Sequence, residues 1–377
     1  MIANLSLYYF TFATFIFGAC LGSFFKLIID RYKNNESIIF KPSYCFNCKH
    51  RLSWWQNIPI LSYLILCNKC FFCKAKIDIN CFYSELATAL LLSTIFFFAL
   101  TRNINHLHIL LLLIFSLVLI LVSMFDLKHR IIPHSITYPS ILILIIFHNI
   151  LKTDGLTNSL LNLGIAFLFM DLLYISSSLF KKFDLEPNFI TVPLILWTIY
   201  YYFAQNLNFI FLIIALCLLT SRLKTPENIS RILWIAFLPL LCIQIYKIVL
   251  IEHHYINLTN YFVGIGIIYL TYEILFYFLN LLLLPTQQTL ETQPDPLKIT
   301  LGGGDITVFV LISVFLGYKL AFLTLFFASL LAVISHLITR TICIFTKSSK
   351  EKISQHIPFV PYLSIVCFII ILKFNGS

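Results

Sequence analysis

Apolar residues in this chain gather into long blocks separated by short polar loops. The blocks fall near residues 7–29, 83–101, 107–125, 134–151, 158–180, 189–204, 207–220, 232–251, 259–284, 306–318, 320–343 and 358–373. A straight transmembrane helix needs about 20 apolar residues, so most blocks are long enough to cross a bilayer. Those at 189–204, 207–220 and 306–318 are shorter, and a tilted, re-entrant or misbounded helix is expected at each. The pattern predicts an all-α polytopic membrane protein of about twelve transmembrane helices. One polar interval is longer than the others, 30–82, and is expected to form a small soluble loop domain. The first block, with no basic segment before it, is expected to stay as an anchor and not to be cleaved as a signal peptide.

Composition agrees. Of 377 residues, 60% are hydrophobic and only 11% charged, and the mean hydropathy is +0.92, outside the range of a soluble globular domain. The net charge of +10 raises the question of nucleic acid, but the basic residues are scattered among short loops, and nucleic-acid binding is rejected. The alternate loops 30–82, 126–133, 181–188, 221–231, 285–305 and 344–357 hold 19 of the 26 Lys and Arg residues. Basic loops stay inside, so these are expected in the cytoplasm. Asp126 closes one block and Asp305 opens another, which places both carboxylates at the cytoplasmic membrane boundary. Two carboxyls in contact share a proton, and such a pair activates a water with one acid while the other protonates a carbonyl oxygen. The alternative is that each Asp faces water at a helix end, Asp305 serving as a cap.

Asp305 follows Gly302-Gly303-Gly304, and side chains that small let a substrate backbone come close. Four further residues carry chemistry in the loop. Cys45-x-x-Cys48 and Cys70-x-x-Cys73 form a double knuckle that can set four thiolates around one zinc. A loop of about 50 residues builds little core, and a structural metal supplies the missing order. Cys67 offers a competing pair with Cys70. Cys20, Cys217, Cys242, Cys343 and Cys367 read as packing residues, and Cys81 is unassigned.

Taken together these segments resemble the type IV prepilin peptidases, a family of GxGD membrane aspartic proteases. Gly22-Ser23-Phe24 resembles the family's opening motif. The run from Cys45 through Trp54, Asn57-Ile58-Pro59, Leu61-Ser62 and Cys73 to Glu85-Leu86 resembles its cytoplasmic loop. Asp126-Leu127 with Ile132-Pro133 resembles the first catalytic motif, Gly302-x-Gly304-Asp305 the second, and Ile357-Pro358-Phe359-x-Pro361-Tyr362-Leu363 the last span. The resemblance covers residues 7–150 and 258–373. It implies an aspartic endopeptidase of the bacterial inner membrane, with Asp126 and Asp305 as its acids, Gly302 and Gly304 as active-site backbone and Cys45, Cys48, Cys70 and Cys73 as zinc ligands. It further implies prepilins or pseudopilins of pili or type II secretion as substrates, cut on the cytoplasmic side, and N-methylation of the new terminus with S-adenosylmethionine as donor. The donor comes from the resemblance alone, for no glycine-rich nucleotide loop is present.

The chain departs from the family pattern at His134, where an acid or Asn follows the proline, at Thr307, where a Lys is expected, and at Lys26, where an Asn is expected. It also carries an insertion of about four blocks, 152–257, beyond an eight-helix family core. The expected organisation is therefore a first helix (1–29), the zinc loop (30–82), helices with the first acid (83–151), the insertion (152–257) and helices with the second acid (258–377). Within the insertion, Asp184 echoes Asp126, but its proline follows after three residues instead of seven. Asp171 and Glu273 fall inside blocks and are read as paired with Lys, Tyr or Ser on a neighbouring helix, or protonated. His253 and His254 fall in an outside loop and read as solvated, and Trp54 and Trp55 as interface anchors ahead of substrate docking. The competing functions are a transporter or channel with a regulatory zinc loop, and a proteolytically inactive relative.

Overall fold

The structure is a computed structural model, described here for residues 2–32, 42–102, 104–151, 155–180, 255–275, 277, 302–345 and 358–374. Among these residues every regular element is a helix, and extended structure is limited to two isolated bridges. Nine of the twelve apolar blocks fall on described helices. The blocks near 189–204, 207–220 and 232–251, with Asp184, His253 and His254, lie outside the described residues. The helices are α1 (Ile2–Tyr32), α2 (Leu61–Ile65), α3 (Ile79–Thr101), α4 (His106–His129), α5 (His134–Ile150), α6 (Gly155–Phe180), α7 (Tyr255–Tyr269), α8 (Gly303–Leu316), α9 (Tyr318–Phe345) and α10 (Val360–Phe374), with a π-helical turn at Leu270–Leu275. Five of them, α1, α3, α4, α6 and α9, contain stretches long and apolar enough to cross a membrane, whereas α5, α8 and α10 are shorter apolar helices.

The chain divides into two compact units, Met1–Pro133 with Pro358–Ser377, and His134–Ile357. In the first, α3 packs against α1 and α4, and α4 against α10. The α1–α3 seam is closed by missing side chains. A methyl group on Gly18 would stand 2.9 Å from Ala89 Cα, and one on Gly22 2.7 Å from the Ser84 carbonyl oxygen and 2.8 Å from Glu85 Cα. Gly18 and Gly22 are four residues apart and share one helix face, the spacing at which helices in lipid meet backbone to backbone. That packing is the physical content of Gly22 in the opening motif. Ser123 and Ser364 share a hydrogen bond of 2.7 Å between α4 and α10, and Arg102 donates to the Leu372 carbonyl oxygen at the other end of α10.

The second unit repeats the device. Side chains on Gly164 and Gly266 would collide with the carbonyl oxygens of Phe262 and Leu160 respectively, so α6 and α7 also meet at backbone distance. α8 lies against α5 and α6. Residues 306–314 of α8 are buried on every side, which explains a short block that is apolar all round: the helix is a core element of its unit. Gly317, at φ +84°, ends α8. Ser313 Oγ then donates to the Asn162 carbonyl oxygen at 2.9 Å and Tyr318 N to Asn162 Oδ1 at 3.2 Å, satisfying polar groups at the break. Tyr138 donates its hydroxyl to Glu273 Oε2 at 3.1 Å, the kind of partner an acid inside an apolar block requires.

These seams make a stability prediction. Gly22→Leu, which forces a large side chain into backbone, is expected to cost about 1–3 kcal/mol or more, as overpacking does, and to lower the melting temperature in detergent. Gly303→Ala, where an added methyl meets nothing within 4 Å, is expected to leave it unchanged. Equal melting temperatures for wild type and Gly22→Leu would refute the seam.

Candidate functional site

Asp126 sits in the last turn of α4, 7% exposed. Its Oδ2 accepts the backbone N–H of Val360 at 3.0 Å. Val360 is the first residue of α10 and has one of the N–H groups a helix start leaves unpaired. The carboxylate therefore caps another helix, and the cap fixes its orientation. α4 ends one residue beyond His129, at Arg130 in the left-handed conformation (φ +55°), whose N–H returns to the Asp126 carbonyl oxygen at 3.0 Å. The final motif gains a physical role here, since Pro358 and Phe359 deliver Val360 to Asp126.

Asp305 lies in the first turn of α8, half-buried, and its Oδ2 accepts from Gly302 N at 3.2 Å. An anion is stabilised at that end of a helix. A methyl on Gly302 would come 3.3 Å from the same oxygen, whereas one on Gly303 meets open space. The first glycine of the motif is thus constrained and the middle one is not. Thr307, where a Lys is expected, is buried and donates to the Gly304 carbonyl oxygen at 2.8 Å. Its hydroxyl is used within the turn. His134 stacks on Tyr138 with ring centroids 4.9 Å apart. Asp126 belongs to the first unit and Asp305 to the second.

The two knuckles are built alike. Cys45 N donates to the His50 carbonyl oxygen and Lys49 N to that of Cys45; 25 residues on, Cys70 N donates to Ala75 and Lys74 N to Cys70, all at 2.8–3.0 Å. Lys49 and Lys74 both take left-handed conformations, φ +57° and +58°. The bridges Tyr44–Arg51 and Lys69–Lys76 close the two hairpins. This equivalence selects Cys70 and Cys73 over the competing pair with Cys67, which is exposed and outside the hairpin. The Sγ atoms of Cys45, Cys48, Cys70 and Cys73 all lie within 4.8 Å of one another, with Cys45 and Cys73 3.9 Å apart. Zinc–sulfur bonds of about 2.3 Å in a tetrahedron set sulfurs about 3.8 Å apart, so the four thiols fit a zinc ion. The Cys73 N–H, foremost, draws the Cys70 thiol down to about 7. At Cys48 the His50 backbone lowers the pKa, but desolvation and the three other thiols push it up to about 11. Crowded thiols of this kind hold thiolate character best when a cation shares them.

The loop is fastened to the helices beneath it. Glu85 Oε2, buried in α3, accepts the Ile60 N–H at 2.7 Å. Lys26 binds Asp30 at 2.9 Å and Asp78 at 3.2 Å, and Asp78 caps α3 through Asn80 N at 3.1 Å. Burial raises the Asp78 carboxyl, but the Asn80 N–H and the Lys26 ammonium outweigh it and hold the group below its ordinary value. Lys26, a departure from the family pattern, is thereby an internal ion-pair partner joining α1 to the head of α3. Lys128 also pairs with Asp30. Between loop and helix ends lies a cavity of about 650 Å³, for which sequence reasoning had no signal because its walls come from segments far apart in the chain. Trp54 is 79% exposed, and Trp55 meets Phe71 edge to face with centroids 5.6 Å apart.

Comparison with known proteins returns two family models in sequence order. Residues 16–99 match the bacterial peptidase A24 N-terminal domain, and residues 113–185 match the type IV leader peptidase family. The second match contains Asp126 and ends well before Asp305. Among similar curated proteins, each named prepilin leader peptidase/N-methyltransferase, that of Myxococcus xanthus is 34% identical over 45% of this chain and 51% of its own length. That of Vibrio cholerae is 30% identical over 35% and 54%, and that of Bacillus subtilis 32% over 41% and 61%. The chain spans about half the length of the curated relatives it matches. No solved structure matches. The double knuckle, the glycine seam above it and the buried acid at the end of α4 all fall within the two matched segments, and over them the chain is similar to the type IV leader peptidases.

Proposed function

We propose that this protein is a membrane aspartic endopeptidase that removes the leader of type IV prepilins or pseudopilins on the cytoplasmic side of the bacterial inner membrane, and that it N-methylates the new terminus. One observation carries the reading. The segment that matches the leader peptidase family holds Asp126, buried at a helix end with one carboxylate oxygen fixed by the Val360 N–H. Fixing Oδ2 leaves Oδ1 as the oxygen that handles a proton. Asp305 is the proposed partner, placed at the start of an apolar helix behind Gly302 and Gly304, where a substrate backbone approaches closely. With the two acids sharing one proton, the ionised carboxylate takes a proton from the attacking water and the protonated one gives its proton to the scissile carbonyl oxygen. The prepilin lies with its basic leader in the cytoplasm and its apolar helix in the bilayer, so the cleavage point meets the acids at the membrane boundary. When bound, S-adenosylmethionine supplies an electrophilic methyl group for the exposed amine. Zinc at the four cysteines is structural, ordering a loop too small to order itself.

Asp126→Asn and Asp305→Asn are each expected to lower cleavage of a co-expressed prepilin by about 10²–10⁴-fold, read as accumulation of the uncut form on a gel; full cleavage by either variant refutes the peptidase reading. Elemental analysis of the purified chain is expected to find one zinc per molecule, and Cys45→Ser or Cys70→Ser to remove it and lower the melting temperature. Unchanged metal content in these variants refutes the ligand set.

A further inference from the structure

The short helix α2 carries its side chains in two opposed sets. Ser62, Tyr63 and Leu66 line the cavity under the cysteine loop. Leu61, Leu64 and Ile65, at positions i, i+3 and i+4 of one helix face, lie outside that lining and are 54%, 58% and 67% exposed. The turn Trp54–Asn57 packs against α2 and adds Trp54 to the exposed apolar groups. This orientation is built in. Ile60, which opens α2, is held at φ +64°, a conformation that a β-branched residue adopts only where its surroundings impose it, and its N–H is tied to Glu85. Three aliphatic side chains and an indole kept in solvent in this way mark an interaction surface.

Charge identifies what the surface meets. No acidic residue occurs from position 37 to 77, whereas Lys49, Arg51, Lys69, Lys74 and Lys76 are all exposed. None of the five pairs with a carboxylate among the described residues. Lys69 and Lys76 face each other directly across their bridge, a like-charge pair that a shared anion relieves. These cations border the apolar groups. Lys69 N donates to the Leu66 carbonyl oxygen at 3.1 Å, which sets Lys69 at the end of α2. Phe71, in contact with Trp55, has the Lys74 ammonium 5.4 Å from its ring centre. The loop is joined to α1 and α3, each with a stretch apolar enough to cross a bilayer, so the headgroup layer of that same bilayer is the surface within its reach. The basic leader of the proposed substrate carries the wrong sign for these cations. We propose that the cysteine loop docks on negatively charged phospholipid, with Leu61, Leu64, Ile65 and Trp54 entering the interfacial layer and the cations of the two hairpins binding lipid phosphates.

The test uses the full chain with Leu64 replaced by the photo-crosslinking residue p-benzoylphenylalanine, reconstituted in nanodiscs of phosphatidylcholine alone or of phosphatidylcholine with phosphatidylglycerol. After irradiation, phospholipid adducts on the peptide containing residue 64 are measured by mass spectrometry. The adduct is expected in the phosphatidylglycerol membrane at a yield about fivefold or more above that in phosphatidylcholine, the factor that one cation at an anionic surface supplies. Lys69→Gln combined with Lys76→Gln is expected to bring the yield down to the phosphatidylcholine level, with an unchanged melting temperature as the check on folding. Absence of a lipid adduct, equal yields in the two membranes, or a folded double variant that keeps the full yield each overturns the proposal. So does an adduct formed in native membranes with a protein in place of lipid. The comparison of the two membranes needs no charge variant, and it decides the question even where the double variant does not fold.

Discussion

Contact between helix backbones, permitted by glycine, is the constraint on which the rest depends. In an apolar chain the hydrophobic effect does not distinguish one helix pair from another inside lipid, so association rests on close packing and on hydrogen bonds between helices. Gly18 and Gly22 bring α1 onto α3. That contact sets Lys26 within reach of Asp78 and brings Ser23 and Glu85 to a common wall. The cysteine loop is then anchored by the Glu85–Ile60 hydrogen bond, and the cavity is the space left over. The Gly164–Gly266 seam does the same for the second unit, and α8, with Asp305 at its head, packs on α6 of that seam.

Three buried charged groups among the described residues are each used twice. Asp126 is a candidate catalytic acid and also the acceptor that ties α10 to α4. Glu85 closes the loop over α3 while lining the cavity. Lys26 neutralises two carboxylates and cross-links two helices. In low-dielectric surroundings an unpaired group of this kind is costly, so structural partners make it possible to keep such side chains buried. In the loop, a metal held by the four gathered thiols would meet the same difficulty in place of a core.

Much of this was legible in the chain. Block length marked α1, α3, α4, α6 and α9 as long apolar helices, and the C-x-x-C spacing marked the four thiols that the fold gathers. The glycines and acid of the second motif were placed at a helix start, where the fold puts them. Of the partners expected for Glu273, a Lys, Tyr or Ser on a neighbouring helix or a proton, the fold supplies Tyr138. What could not be read was any relation between distant segments. Val360 capping Asp126, Asp78 answering the unexpected Lys26, and the grouping of α10 with the N-terminal helices each join residues whose separation in sequence carries no local signal.

The sequence by itself determined that the chain is helical and apolar, that its loop carries C-x-x-C pairs spaced to share a metal, and which two aspartates stand at block ends, because hydropathy, spacing and motif are local properties. Tertiary structure decided which glycines are contacts, that the short helix α8 is a buried core element, that Cys70 pairs with Cys73 in the knuckle geometry, and that a cavity with aromatic and charged walls lies under the loop. Those outcomes depend on which faces meet, and a face acquires its neighbour only when separate segments pack.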